Sequence, residues 1–181
     1  MKKTDTKIFT KEFKTNLESL LTTINESFEN INNGGCAYFA QLLYPKLKEL
    51  TDDIEILFFL QSEDLNFIQK EKEYYNEVKD SDDDLKEAGF VISHVILKCE
   101  EYYIDTNIID KTIPNYFEKK YNHHLIGSIS FDVLSTLIDY NEWNEAFDIN
   151  DLSKIEKVID KYFNKEVTIW DRVKIKLEEN K

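Results

Sequence analysis

Cys36, His94 and Asp105 have the chemistry of a nucleophile, a proton relay and an orienting carboxylate, and they occur in that order along the chain. A sulfur can attack a carbonyl carbon, an imidazole can take the thiol proton and later return it, and a carboxylate can fix the imidazole tautomer. Cys36 follows Asn32-Asn33-Gly34-Gly35 and opens an apolar pattern of Phe39, Leu42, Leu43 and Leu47, which predicts that it starts a helix. A helix N-terminus and a nearby imidazolium are the two surroundings that favour thiolate over thiol. The free N–H groups of such a first turn also suit an oxyanion, where one donor is worth about 2.7–4 kcal/mol. Asn32 and Asn33 are the side chains placed to add a donor, and Gly35 would let a substrate backbone approach.

The other two residues fall on a predicted β-hairpin. Residues 90–98 and 102–105 are rich in β-branched and aromatic side chains, separated only by Cys99-Glu100-Glu101. If the turn is Cys99-Glu100, Lys98 faces Glu101 as an ion pair and His94 faces Asp105, with Val95 and Leu97 set against Ile104 and Tyr102 on the other face. That register puts Cys99 at the hairpin tip. Its weakness is a turn without Gly or Asn, since a different turn would move the pairing.

The elements that must carry these residues read as α+β, with helices, then strands, then helices. Phe13, Leu17, Leu20, Leu21, Ile24 and Phe28 form one helical stripe that Thr10 can cap. Pro45 is expected to kink the Cys36 helix or end it near Tyr44. Residues 54–60 read as a buried strand, residues 65–78 as a polar helix, and Asp80 to Asp84 as a solvated loop. Beyond the hairpin the chain is expected to be helical, with Pro114 in a first turn and Leu152, Ile155, Val158, Ile159 and Tyr162 on one stripe. Thr168 to Asp171 has the spacing of a capping box. Tyr116, Phe117, Tyr121, Trp143 and Trp170 read as core. One domain is expected, divided as an N-terminal helix over 1–31, a core over 32–110 and a helical part over 111–181.

Composition sets the class. Lys and Arg number 23 against 36 Asp and Glu, so the net charge of −13 argues against direct nucleic-acid binding. Two Cys cannot make a disulfide framework, and no run is long and apolar enough for a membrane helix, so the expectation is a cytoplasmic protein off the membrane. His123-His124 lacks partners at a metal-ligand spacing, Asp80 to Asp84 lacks the pattern of a calcium loop, and Gly34-Gly35 precedes no phosphate-loop Lys, so no metal or cofactor is expected.

Three segments carry a family resemblance. Asn33-Gly34-Gly35-Cys36-Ala37-Tyr38-Phe39-Ala40 opens a helix, Ser93-His94-Val95-Ile96-Leu97 lies on a strand, and Tyr102-Tyr103-Ile104-Asp105 lies on the next. Together they resemble the papain-like and transglutaminase-like cysteine hydrolase superfamily, small members of which occur in bacteriophage and mobile elements. The resemblance implies a papain-like core with extra N- and C-terminal helices, in which a helix-borne nucleophile packs on an antiparallel sheet. It implies hydrolysis or transfer at an amide or acyl bond of a protein or peptide substrate, without a cofactor. Papain-type enzymes carry an upstream Gln and an aromatic residue after the nucleophile; this chain has Asn30, Asn32 and Asn33 upstream and Ala37 after it. The competing expectation is a non-enzyme, an acidic inhibitor that imitates nucleic acid and occupies a basic surface on a host protein.

Overall fold

The computed structural model describes residues 8–29, 31, 34–140 and 147–164. Asn30, Asn32, Asn33, Trp143, Trp170 and the segment from Thr168 to Asp171 lie outside the described residues. The architecture is α+β. Helices α1 (Lys11–Ser27), α2 (Cys36–Leu50), α3 (Leu65–Val78), α4 (Asp82–Glu87), α5 (Ile113–Tyr121), α6 (Phe131–Tyr140) and α7 (residues 152–164) accompany a five-stranded antiparallel sheet. Its strands are β1 (Ile54–Gln61), β2 (His94–Cys99), β3 (Tyr102–Ile104), β4 (Ile109–Asp110) and β5 (His123–Ile129), in the order β4-β3-β2-β1-β5.

Both faces of the sheet are covered. On one, Ile56, Phe58, Leu60, Val95 and Leu97 join the apolar stripes of α1, α2 and α6 in the main core. On the other, Leu57, Phe59 and Ile96 form a smaller cluster with Ile113 and Phe117 of α5. The unbroken apolar run from Ile56 to Leu60 within β1 follows from this position, because an interior strand covered on both sides has no polar face to alternate with.

Helix α1 begins where its sequence says: the Thr10 hydroxyl accepts from the Phe13 backbone N–H at 3.1 Å, and Phe13, Leu17, Leu20, Leu21 and Ile24 are buried. Helix α2 does not end near Tyr44 but runs through Pro45 to Leu50. An interior Pro costs about 3 kcal/mol, but Leu43 and Leu47 on either side are wholly buried and Tyr44 stacks on Phe131, so packing outweighs the lost hydrogen bond. Asp82, Asp83 and Asp84 are not loop but the first turn of α4, with Ser81 capping the Asp84 N–H; carboxylates there meet the positive end of the helix dipole.

The C-terminal third is not all helical. Residues 123–129 form β5, which pairs with β1 and makes one edge of the sheet. Its outward backbone is closed by α3: the Tyr75 hydroxyl donates to the Ser128 carbonyl at 2.8 Å and accepts from the Ser128 N–H at 3.0 Å. That ring lies against Gly127, where a β-carbon would overlap it. Replacing Gly127 by Ala should therefore destabilise the protein by about 1–3 kcal/mol, the usual cost of overpacking, read as a lower urea midpoint. An unchanged midpoint would contradict this packing.

Candidate functional site

The β2–β3 turn is Glu100-Glu101, not Cys99-Glu100. Cys99 pairs with Tyr102, Lys98 with Tyr103 and Leu97 with Ile104. This is a shift of two residues from the expected register, so side chains keep their faces while opposed pairs become diagonal ones. Glu100 takes the left-handed conformation (φ 54°) that Gly or Asn usually supplies. Anchors on two sides hold it there: its carboxylate accepts from Ile8 N–H at 2.6 Å and Phe9 N–H at 3.4 Å, and its own N–H donates to the Asp53 carbonyl at 3.0 Å. Lys98 pairs with Glu55 at 2.5 Å, and Glu101 with Lys111 at 2.6 Å, in place of the expected Lys98–Glu101 pair. Cys99 is fully buried rather than at a tip, and burial, with lesser help from the charges of Glu100 and Asp53, pushes its thiol up to about 12.

Asp105 sits one residue past β3, in the turn that leads to β4, with its N–H donating to the Ile108 carbonyl at 2.9 Å. From there one carboxylate oxygen lies 2.9 Å from His94 Nε2. Asp105 thus meets the ring despite the changed register, because a diagonal neighbour on the same face remains within reach of an imidazole. The Thr106 hydroxyl donates to the same oxygen at 3.4 Å. Helix α1 fixes this turn through Asn25, whose amide donates to the Thr106 carbonyl at 2.5 Å and to the Leu21 carbonyl at 2.9 Å. The sequence carries no signal for that tie, which spans 81 positions.

Cys36 is the first residue of α2, as expected, and is 3 % exposed. Its sulfur bears on the His94 ring both as a charge and as a hydrogen-bond partner. Since Asp105 takes Nε2, Nδ1 is the nitrogen left for sulfur. Burial alone would lower the pKa of this ring; the charge of Cys36, hydrogen bonds to Asp105 and Cys36, and the charge of Asp105 outweigh it and raise the pKa from 6.5 to about 10. The structure therefore brings all three residues together around one imidazole.

Gly35 is needed for a reason other than substrate approach. A β-carbon there would come within 2.7 Å of both the carbonyl oxygen and the terminal methyl of Ile31, so the residue lets the loop turn tightly into α2. The N-cap residue, Gly35, has no side chain to accept from the first N–H groups of the helix. Asn32 and Asn33 belong to the part of this loop outside the described residues.

Against the ring lies a cavity of about 480 Å³ walled by His94, Asp105, Ile108, Tyr116, Phe117, Tyr121 and His123, with Asn107. Phe117 meets the His94 ring edge-on at 4.9 Å, and His123 stacks on it at 5.8 Å with an interplanar angle of 27°. Burial and the neighbouring charge of His94 lower the pKa of His123. His124 is directed elsewhere, with Nε2 3.1 Å from the Ser62 carbonyl and Nδ1 3.8 Å from Glu118. Tyr116 and Tyr121, expected in the core, instead stand 44 % and 42 % exposed. Their place in a cavity wall depends on β5, which the sequence does not reveal; the placement of Phe117, Tyr121 and His123 within seven residues of one another is the available signal.

The fold and site define a class by arrangement alone: an α+β protein with a buried thiol–imidazole–carboxylate array where a helix start meets a sheet. Compared with known proteins, the chain matches no family model, no curated protein and no solved structure. Among the described residues no helix is long and apolar enough to cross a membrane.

A group whose pKa rises on folding contributes stability that is full below its unfolded value and fades as pH climbs through the folded one. Protonation of His94 should thus stabilise the native protein fully below pH 6.5, with the benefit over His94→Gln shrinking as pH rises to about 10. Imidazole NMR should show the His94 ring charged at pH 8, with its titration moved to lower pH in Cys36→Ala. A ring already neutral at pH 8 would contradict this electrostatic arrangement.

Proposed function

We propose that the protein is a papain-like cysteine hydrolase or acyl transferase acting on an amide or related acyl bond of a protein or peptide. The single observation that carries the reading is the His94 ring held between Cys36 on one side and Asp105 on the other. With a proton already held on His94 beside it, the Cys36 sulfur attacks the carbonyl carbon and forms a C–S bond. N–H groups at the start of α2 are suited to receive the oxyanion. As the C–N bond breaks, the imidazolium gives its proton to the departing amine. Water, or an acceptor amine in transfer, then adds to the thioester and loses a proton to His94, and the C–S bond breaks, which leaves the sulfur once more beside a protonated ring. Asp105 holds the tautomer and orientation that make each proton exchange possible. No cofactor enters these steps. The two thiols are unpaired, which suits a reducing, cytoplasmic setting.

The net charge of −13 favours a second reading, an acidic inhibitor seated on a basic surface of a host protein, as in phage anti-defence proteins. The two make opposite demands on Cys36. With iodoacetamide at pH 7, the hydrolase reading expects alkylation at Cys36 well ahead of Cys99, measured by peptide mass spectrometry, and at least a tenfold slower reaction in His94→Ala. Equal, slow labelling of both cysteines, unaffected by His94→Ala, would remove the catalytic reading.

A further inference from the structure

The walls of the cavity beside His94 are mostly rings set at steep angles to one another. Tyr116 meets Tyr121 at 86°, Phe117 meets Tyr121 at 65°, and Phe117 meets His123 at 86°. Such a set presents ring faces next to ring edges, the electrostatic pattern into which a further aromatic ring fits, since a ring is negative on its faces and positive around its rim. At about 480 Å³ the cavity is of ligand size, and three of its apolar residues remain well exposed: Tyr116 at 44 %, Tyr121 at 42 % and Ile108 at 42 %. Apolar surface gathered at the mouth of a cavity is surface that a ligand would cover.

Charge narrows the choice. Lys120 Nζ already lies over the faces of Tyr116 and Tyr121, 5.0 and 4.9 Å from the ring centroids, so a cationic side chain docking on those rings would meet a cation already there. A free carboxylate would enter beside Asp105 on a protein of net charge −13. A neutral group escapes both penalties. His123 adds a directional contact, since among the described residues its ring nitrogens have no hydrogen-bond partner while the ring lines the cavity. A phenol hydroxyl is a group such a nitrogen can bond.

We propose that this cavity binds an aromatic side chain of the substrate, tyrosine above all, and so selects the bond presented to Cys36. The selection of a bond rests on the hydrolase reading, whereas the binding of the ring does not. N-acetyl-tyrosinamide is therefore titrated into the full-length protein and followed by the imidazole NMR signals of His94 and His123, beside N-acetyl-leucinamide and N-acetyl-lysinamide. The tyrosine amide should shift both signals saturably and bind at least tenfold more tightly than the other two. Tyr121→Ala and Tyr116→Ala, both at exposed positions, should each weaken it at least tenfold. Equal binding of all three amides, tighter binding of the lysine amide, no saturable shift, or retention of full affinity in both variants would overturn the proposal. Failure of Cys36 to react with iodoacetamide while the tyrosine amide binds would count against the hydrolase reading and leave the aromatic site standing.

Discussion

A buried imidazole keeps a proton only if its neighbours stabilise the charge, and for His94 that means one partner on each nitrogen. Burial works against the imidazolium, yet Cys36 and Asp105 together overcome it and raise the ring to about 10. The charges are mutually dependent: removal of either partner leaves a buried cation half-compensated, a costly condition in a low-dielectric interior. Each of the three residues arrives from a different element, at the start of α2, at the start of β2 and just past β3. The fold around them is best understood as what keeps these three starting and ending points in register.

Several of its less usual features serve that end. The left-handed Glu100 turn sets how far β3 slides along β2, and so which residue follows the strand next to His94; the N-terminal segment and Asp53 hold that turn. Asn25 of α1 ties down the Thr106 carbonyl immediately beyond Asp105. Gly35 lets the chain fold back on Ile31 so that α2 can begin at Cys36. The apolar packing of α2 carries it through Pro45, which keeps the helix whole behind its functional end. Edge strand β5, closed by Tyr75, places His123 against the ring.

The sequence made the trio visible because each member lies where periodicity is strong: Cys36 ahead of an amphipathic run, His94 and Asp105 around a short hairpin. The expected register was off by two residues, and the error did no harm to the site because an even shift preserves the face of every side chain. The same error misplaced Cys99, which belongs to the core. Strand β5 was lost because His123-His124-Leu125-Ile126-Gly127-Ser128-Ile129 has neither clean alternation nor a continuous apolar run, and its irregular pairing with β1 between Phe58 and Phe59 reflects that. With β5 went the cavity, since Tyr116 and Tyr121 could be recognised as wall residues only with the strand opposite them in place. Ties such as Asn25 to Thr106 and Glu100 to Ile8 join positions far apart in the chain and leave no periodic trace.

The coupling of Asp105 to sulfur through the ring is tested most directly by a double-mutant cycle on the rate of Cys36 alkylation at pH 7, using His94→Ala, Asp105→Ala and the two combined. If Asp105 acts only by holding His94, each single change slows the reaction, and the combined variant is no slower than His94→Ala alone. Losses that multiply, or an Asp105→Ala protein as fast as the parent, would contradict the relay.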